Sequence, residues 1–318
     1  MPGERPFLPY GRHFIEDDDI EAVTDVLRGE FLTTGPVVDA FENKLAEVTG
    51  ARHVVSCSSG TAALHLTASA LDLGPGDWAI VPAMTFLATA NAARYVGADV
   101  IFADVDAETG LMTSETFEAA RATAMGSVKA VYPVHINGQT ANMAAIRQVA
   151  GDMPIVEDAC HALGGVHKAA NGEWVPVGSC AYSEMSIFSF HPVKTVAMGE
   201  GGAVTTNDDH LAERLRRHRN IGMNRNPETI ENAGQAFDTS GEINPWYYEM
   251  PELGLNYRAS AVHCALGLNQ LGKLERFVGI RNRLVERYAE ALAPLAAVVR
   301  MLPKSADCEA AWHLCVVL

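Results

Sequence analysis

From His53 to Thr206 the chain alternates short apolar runs with segments of helical periodicity, and this alternation limits the fold more than any other feature. The apolar runs fall at residues 54–56, 79–82, 100–105, 130–134, 154–157, 186–190 and 202–206, each too short for a buried helix. Helical stretches at 62–71, 87–95, 116–124 and 143–149 separate most of them. Near-continuous apolar strands need cover on both faces, which intervening helices supply. The pattern therefore predicts an α/β fold with a mostly parallel seven-stranded sheet sandwiched by helices.

Helices are also expected outside this core. Asp17-Asp18-Asp19 opens one that Gly29 ends, with acids in the first turn where the helix dipole favours them, and Pro36 precedes another at 37–48. Beyond a helix at 211–219, a polar, glycine-bearing loop occupies 226–244. Helices at 259–271 and 274–293 follow. This spacing predicts a large domain over 1–245 and the start of a smaller C-terminal domain over 246–318, ending in a strand-like run at 314–318.

In open α/β sheets, reactive groups collect at the carboxyl ends of the strands. Three segments meet that condition. Lys194 follows Phe188-Ser189-Phe190-His191-Pro192-Val193, where Pro192 cannot donate to a ladder and so ends the strand. A lysine taken alone is most often solvated. Here Asp158 closes another apolar run, and Ser59-Gly60-Thr61 forms a strand-to-helix turn whose free N–H groups favour a phosphate. A lysine for a Schiff base, a carboxylate for a pyridinium nitrogen and a phosphate cradle are the parts of a pyridoxal phosphate site. Gly199-Glu200-Gly201-Gly202 precedes a strand rather than following one, so it is not a dinucleotide fingerprint. No zinc-type spacing and no G-x-S-x-G elbow occurs, and no metal is expected.

Composition narrows the class further. With 48% apolar and 20% charged residues the chain reads as globular, and no apolar run approaches the ~18 residues of a membrane span. The N-terminus lacks the basic and apolar blocks of a signal peptide, and six cysteines without a C-x-x-C pair suit reduced thiols. A cytoplasmic location is expected. A formal net charge of −15 argues against a nucleic-acid partner.

The chain resembles the DegT/DnrJ/EryC1/StrS sugar aminotransferases. The motifs that carry the resemblance are Leu8-Pro9-Tyr10-Gly11-Arg12, Phe31-Leu32-Thr33-Thr34-Gly35-Pro36, Ser59-Gly60-Thr61-Ala62-Ala63-Leu64-His65, Glu157-Asp158-Ala159-Cys160-His161-Ala162 and Phe188 through Lys194. The resemblance implies the type I, aspartate-aminotransferase-like fold with pyridoxal 5′-phosphate as cofactor. It also implies a small domain that continues past Leu318, so the C-terminal unit is expected to be incomplete. By the same resemblance Lys194 is the Schiff-base and proton-shuttle residue, and Asp158 partners the pyridine nitrogen. His161 lies near the ring and its phenolic oxygen. Phe86 stacks on the ring, and Gly60, Thr61 and Ser189 hold the phosphate. Asn256 reaches the phosphate of a neighbouring subunit, which makes the protein a homodimer. Thr34, His191 and Arg258 fall on the substrate side.

The resemblance further implies transamination of a nucleotide-linked 4-keto-6-deoxy sugar with glutamate as donor. The best match is to the branch acting on UDP-4-keto-6-deoxy-N-acetylhexosamine in pseudaminic acid biosynthesis. A dTDP- or GDP-linked 3- or 4-aminotransferase and a non-catalytic regulatory protein on the same fold are the alternatives. After Asn256-Tyr257-Arg258 this chain has Ala259-Ser260-Ala261-Val262-His263 where the family carries Leu-Thr-Asp-Ile-Gln, which removes an acid near the subunit junction. An anionic substrate on an acidic protein requires local positive charge. The cluster Arg214, Arg216, Arg217, His218 and Arg219 supplies it or is a solvated helix face, and Arg225 and Arg258 are separate candidates.

Overall fold

The structure, a computed structural model, describes Phe7, Pro9 and residues 11–318. Leu8 and Tyr10 of the N-terminal motif lie outside the described residues. Two helices come first. In α1 (Asp17–Arg28), Glu16 caps the first turn while Asp19 accepts the Glu16 N–H at 2.9 Å. Pro36 stands in the first turn of α2 (Pro36–Thr49), where its missing N–H is not needed, and Gly50 ends the helix in the left-handed region at φ 74°.

The alternating core then runs β1 (His53–Cys57), α3 (Gly60–Ala70), β2 (Asp77–Pro82), α4 (Leu87–Tyr95), β3 (Asp99–Ala103), α5 (Ser114–Ala122), β4 (Ser127–Val131), α6 (Met143–Ala150) and β5 (Val156–Asp158). After two short strands, β6 (Val166–Lys168) and β7 (Trp174–Pro176), it resumes with β8 (Met185–Ser189), β9 (Gly202–Thr206) and α7 (Asp209–Arg219). A short helix, α8 (Ala233–Ala236), interrupts the polar loop. Then come α9 (Ala261–Leu271), α10 (Leu274–Leu292) and β10 (Cys308–Glu309).

Strand β2 pairs in parallel with β3 and β4, and β5 in parallel with β8. Strand β9 runs antiparallel to β8 and β1. Parallel bridges Val131–Ile155 and Val134–Asp158 join β4 to β5. Seven strands thus form one sheet in the order β3-β2-β4-β5-β8-β9-β1, in which β9 alone is reversed. The mostly parallel sheet expected from the sequence is present, and six strands present their carboxyl ends at one rim.

Alternation along the central strands divides the core. Val55, Ile187 and Val204 face Leu64 and Leu66 of α3 and Leu215 of α7. Val54 and Phe188 face the other way, toward Phe41 and Leu45 of α2 and Leu271 of α9. Helix α9, which the expected division assigns to the second unit, packs against α1 and α2, and Gln270 donates to the buried Asp19 at 2.8 Å. No helix among the described residues is long and apolar enough to cross a membrane.

Two local features differ from expectation. A small antiparallel sheet, β10-β6-β7, was not anticipated, because two- and three-residue strands leave no periodic signal. The apolar run at 314–318 makes one antiparallel bridge, Met301–Val317, rather than a full strand. Its approach is diverted: the N–H groups of His313 and Leu314 both point to the Asn137 carbonyl, at 2.7 and 3.4 Å.

Backbones approach closely where α3 begins. A Cβ on Gly202 would lie 2.2 Å from the Ser59 carbonyl oxygen and 2.7 Å from the Gly60 nitrogen, both backbone atoms that cannot swing aside. Gly202→Ala is expected to destabilise the protein by roughly 1–3 kcal/mol through overpacking. Gly74→Ala, with nothing within 4 Å of the new carbon, serves as the control and leaves the urea midpoint nearly unchanged. Equal midpoints for the two variants would contradict the packing argument.

Candidate active site

A cavity of about 640 Å³ opens at the carboxyl rim and is bounded by Gly60, Thr61, Phe86, Asp158, His161, Ser189, His191 and Lys194. These are eight of the eleven residues that the sequence and the family resemblance placed around a cofactor or substrate, and four different strand ends deliver them. Helix α3 starts at Gly60, with Ser59 as its N-cap accepting the Ala62 N–H at 3.0 Å. The first-turn N–H groups are therefore presented at the mouth of β1. Gly60 is there because a Cβ would meet the Ser189 Cβ at 2.7 Å, so the start of the helix and the end of β8 can touch. Lys194 sits in the turn after β8, its N–H bonded to the His191 carbonyl at 2.8 Å.

Asp158 ends β5 and is 5% exposed. Thr89 Oγ1 donates to its Oδ2 at 2.7 Å, and the Cys160 N–H to its Oδ1 at 3.2 Å. Thr85, just before α4, shares a hydrogen bond with Thr89 at 2.8 Å. No cationic side chain ion-pairs with Asp158 among the described residues. A buried carboxylate that is hydrogen-bonded but unpaired is suited to a ligand that brings a positive N–H.

Behind it, Glu157 points to the opposite face and is held by His135 Nε2 at 2.7 Å and by the Ser183 hydroxyl. Burial alone raises the Glu157 pKa, but the His135 and Ser183 hydrogen bonds bring it below the usual carboxylate value. The His135 N–H in turn donates to the Asp158 carbonyl at 2.9 Å, so this buried group fixes the end of β5 against the segment after β4.

Burial lowers the Lys194 pKa, against the opposing pull of Cys160 and Asp158. The His161 pKa is pushed down to about 4 by burial and then by the Lys194 charge, and its Nδ1 has no hydrogen-bond partner. The His313 ring lies 4.4 Å from that of His161, and its own pKa is pushed down to about 2, first by burial, then by repulsion from any proton on His161 and from the charges of Lys194 and Arg281. Both imidazoles are neutral at physiological pH. Phe86, 71% exposed, offers an uncovered ring at the cavity wall.

The residues fit pyridoxal phosphate. Gly60, Thr61 and Ser189 line a helix N-terminus open to an anion, Asp158 can accept a pyridinium N–H, and Lys194 is partly desolvated.

Three expected site residues lie elsewhere. Asn256 is exposed and bridges Asn220. Thr34 and Arg258 line a separate cavity of about 280 Å³ with Arg216, Arg217, Arg219 and Arg225. Within the basic cluster, Arg214 reaches Asp72 at 2.6 Å, Arg217 reaches Glu252 at 3.3 Å and Arg219 reaches Glu42 at 2.6 Å. Arg216 is exposed. Neither reading of the cluster holds for all of it.

Sequence reasoning missed Thr89 and His313. Thr89 left a weak signal, a hydroxyl in the first turn of the helix that follows the carboxyl end of β2. His313 had none, because it enters the cavity only through the close approach of the 310–314 segment to the loop after β4. A Cβ on Gly138 would be 2.0 Å from the Ala311 carbonyl.

A half-buried, partly desolvated lysine and a buried carboxylate on one rim of an open α/β sheet define the class: an enzyme that works through a carbonyl cofactor held by a lysine. The chain belongs to the DegT/DnrJ/EryC1/StrS aminotransferase family, whose pattern matches residues 13–318. Solved structures it is similar to include Spr1654 from Streptococcus pneumoniae in its PLP form, at 26% identity. That match covers 98% of this chain and 77% of that one with a TM-score of 0.83. DesI in the presence of its TDP-sugar product is 30% identical, with 99% and 72% coverage and a TM-score of 0.81. Helicobacter pylori PseC, an aminotransferase involved in the biosynthesis of pseudaminic acid, is 25% identical, with 98% and 77% coverage and a TM-score of 0.80.

The two depressed histidine pKa values have a consequence for stability. Between about pH 6.5 and about pH 4 the unfolded chain takes up protons at these imidazoles while the folded chain does not. Stability is therefore expected to fall as pH drops through that window. His161→Gln and His313→Gln should each flatten the fall in urea midpoint, and a wild-type slope in both would rule out these residues as its source.

Proposed function

We propose that this aminotransferase, with pyridoxal 5′-phosphate as its cofactor, moves the amino group of glutamate to C4 of a UDP-linked 4-keto-6-deoxy-N-acetylhexosamine, a cytoplasmic step of pseudaminic acid biosynthesis. The observation that carries the aminotransferase reading is the convergence of Lys194, Asp158 and the α3 N-terminus on one cavity. When bound, the cofactor supplies an electrophilic carbonyl and a ring that accepts electrons. Asp158 holds the proton of the pyridine nitrogen, and Thr89 and the Cys160 N–H fix that carboxylate in place.

Gly60, Thr61 and Ser189 would hold the phosphate, and Phe86 would cover the ring. Lys194 Nζ would hold the Schiff base and carry the proton that the transfer moves. Its lowered pKa keeps more of it in the neutral, proton-accepting form than an exposed lysine would. His161, neutral and with an unpartnered Nδ1, would hydrogen-bond an oxygen on the ring. His191 is exposed at the open side, where substrate enters.

The positions of Asn256, Thr34 and Arg258 outside this cavity favour a homodimer in which these residues complete the partner's site. Leu253, 83% exposed three residues before Asn256, is an apolar group that such an interface would cover. In this scheme residues 1–245 form the large cofactor domain and 246–318 begin the smaller one.

The sugar-nucleotide assignment is supported by the likeness to PseC, and DesI supports a second reading, a dTDP-linked keto sugar. Incubation of the purified protein with glutamate and UDP- or dTDP-linked 4-keto-6-deoxy sugars, followed by mass spectrometry, separates them. Amination of the UDP-linked substrate is expected, with no product from Lys194→Ala. Exclusive turnover of the dTDP-linked substrate would transfer the assignment to the second reading.

A further inference from the structure

Lys194 lies between two cavities. The second, of about 410 Å³, is bounded by Arg12, His13, Arg276 and Arg281 on its polar side and by Phe14 and Phe277 on its apolar side. Its three guanidinium groups are not equivalent. Glu16 engages Arg276. Arg12 is exposed at the mouth, placed there because Gly11 lies against Val193, the neighbour of Lys194.

Arg281 is half-buried on α10, and among the described residues no carboxylate ion-pairs with it. Its single hydrogen bond runs from Nη1 to the His313 carbonyl at 3.1 Å. A guanidinium carries five N–H donors, so most of the Arg281 fork has no acceptor. Burial lowers its pKa with no carboxylate to offset the effect. A desolvated charge without a partner is unfavourable unless a ligand supplies one. The His313 backbone receives the Arg281 bond while its ring lines the cofactor cavity, so Arg281 stands one residue away from the Lys194 chamber.

We propose that Arg281 binds a carboxylate of the amino donor, a short acidic amino acid or its keto acid, with Arg12 at the entrance to the same cavity. The proposal rests on the aminotransferase reading and adds where the donor is held. A planar fork matches a carboxylate in two parallel hydrogen bonds. The apolar wall of Phe14 and Phe277 suits the methylenes of a five-carbon dicarboxylate. The donor's amino end can then face the Lys194 side of the wall.

The test uses glutarate, a dicarboxylate with no amino or keto group, titrated calorimetrically into the cofactor-loaded protein. Arg281→Gln is expected to weaken glutarate at least tenfold and to raise the KM for glutamate by a similar factor. Its absorbance spectrum and its kcat for the glutamate half-reaction should stay within a few-fold of wild type. Arg281→Lys keeps the charge without the fork and is expected to lose severalfold, which decides the matter should the glutamine variant not fold. Wild-type glutarate affinity in either folded variant overturns the proposal, and so does a fall in kcat with KM unchanged. Because glutarate binding is read without turnover, a wild-type protein that binds glutarate yet takes no amino group from glutamate would count against the aminotransferase reading alone.

Discussion

The hydrogen bond from Thr89 Oγ1 to Asp158 Oδ2 at 2.7 Å ties the β3-β2-β4 side of the sheet to the β5-β8-β9-β1 side at the level of the site. Beside it the backbones of the two halves meet at parallel bridges, one of them between Val134 and Asp158 itself, where the Asp158 N–H donates to the Pro133 carbonyl at 2.8 Å. Everything the site needs depends on that junction. Phe86 and Thr89 arrive from the loop and helix after β2, Lys194 and Ser189 from the end of β8, and the phosphate cradle from β1. Only a fixed β4–β5 register brings them to one rim. Glu157 and His135 hold the junction from behind, where both are nearly inaccessible to solvent.

Electrostatics at the rim run against the protein as a whole. The chain carries a formal net charge of −15, yet Lys194 and Arg281 flank a pair of neutral histidines, with Asp158 as the buried acid. Desolvation keeps His161 and His313 neutral, and each proton added there would meet the charge of Lys194. Most of the arginines on α7 are committed to Asp72, Glu252 and Glu42, so their presence in sequence overstated the free positive charge. The cations left without partners are the ones that can meet an anionic ligand.

How much was legible followed from the range of each interaction. The seven main strands were readable because each is a run of apolar residues flanked by turn residues. Lys194 and Asp158 were readable because position at a strand's carboxyl end follows from strand order. Gly60 and Gly202 carried a message whose cause was hidden: each lacks a side chain because two backbones meet there across more than 100 residues of sequence. His313 and Arg281 come together with Lys194 through contacts distant in sequence, and no local pattern announces them. The short β10-β6-β7 sheet was illegible for the same reason, and so was the division of labour within the basic cluster of α7.

The most direct test of the account is the absorbance spectrum of the purified protein with pyridoxal phosphate, recorded before and after glutamate is added. A visible band that moves to shorter wavelength on addition of glutamate, and is absent in Lys194→Ala, is the predicted result. A protein that remains colourless with added pyridoxal phosphate would contradict the claim that Lys194 and Asp158 form a working cofactor site.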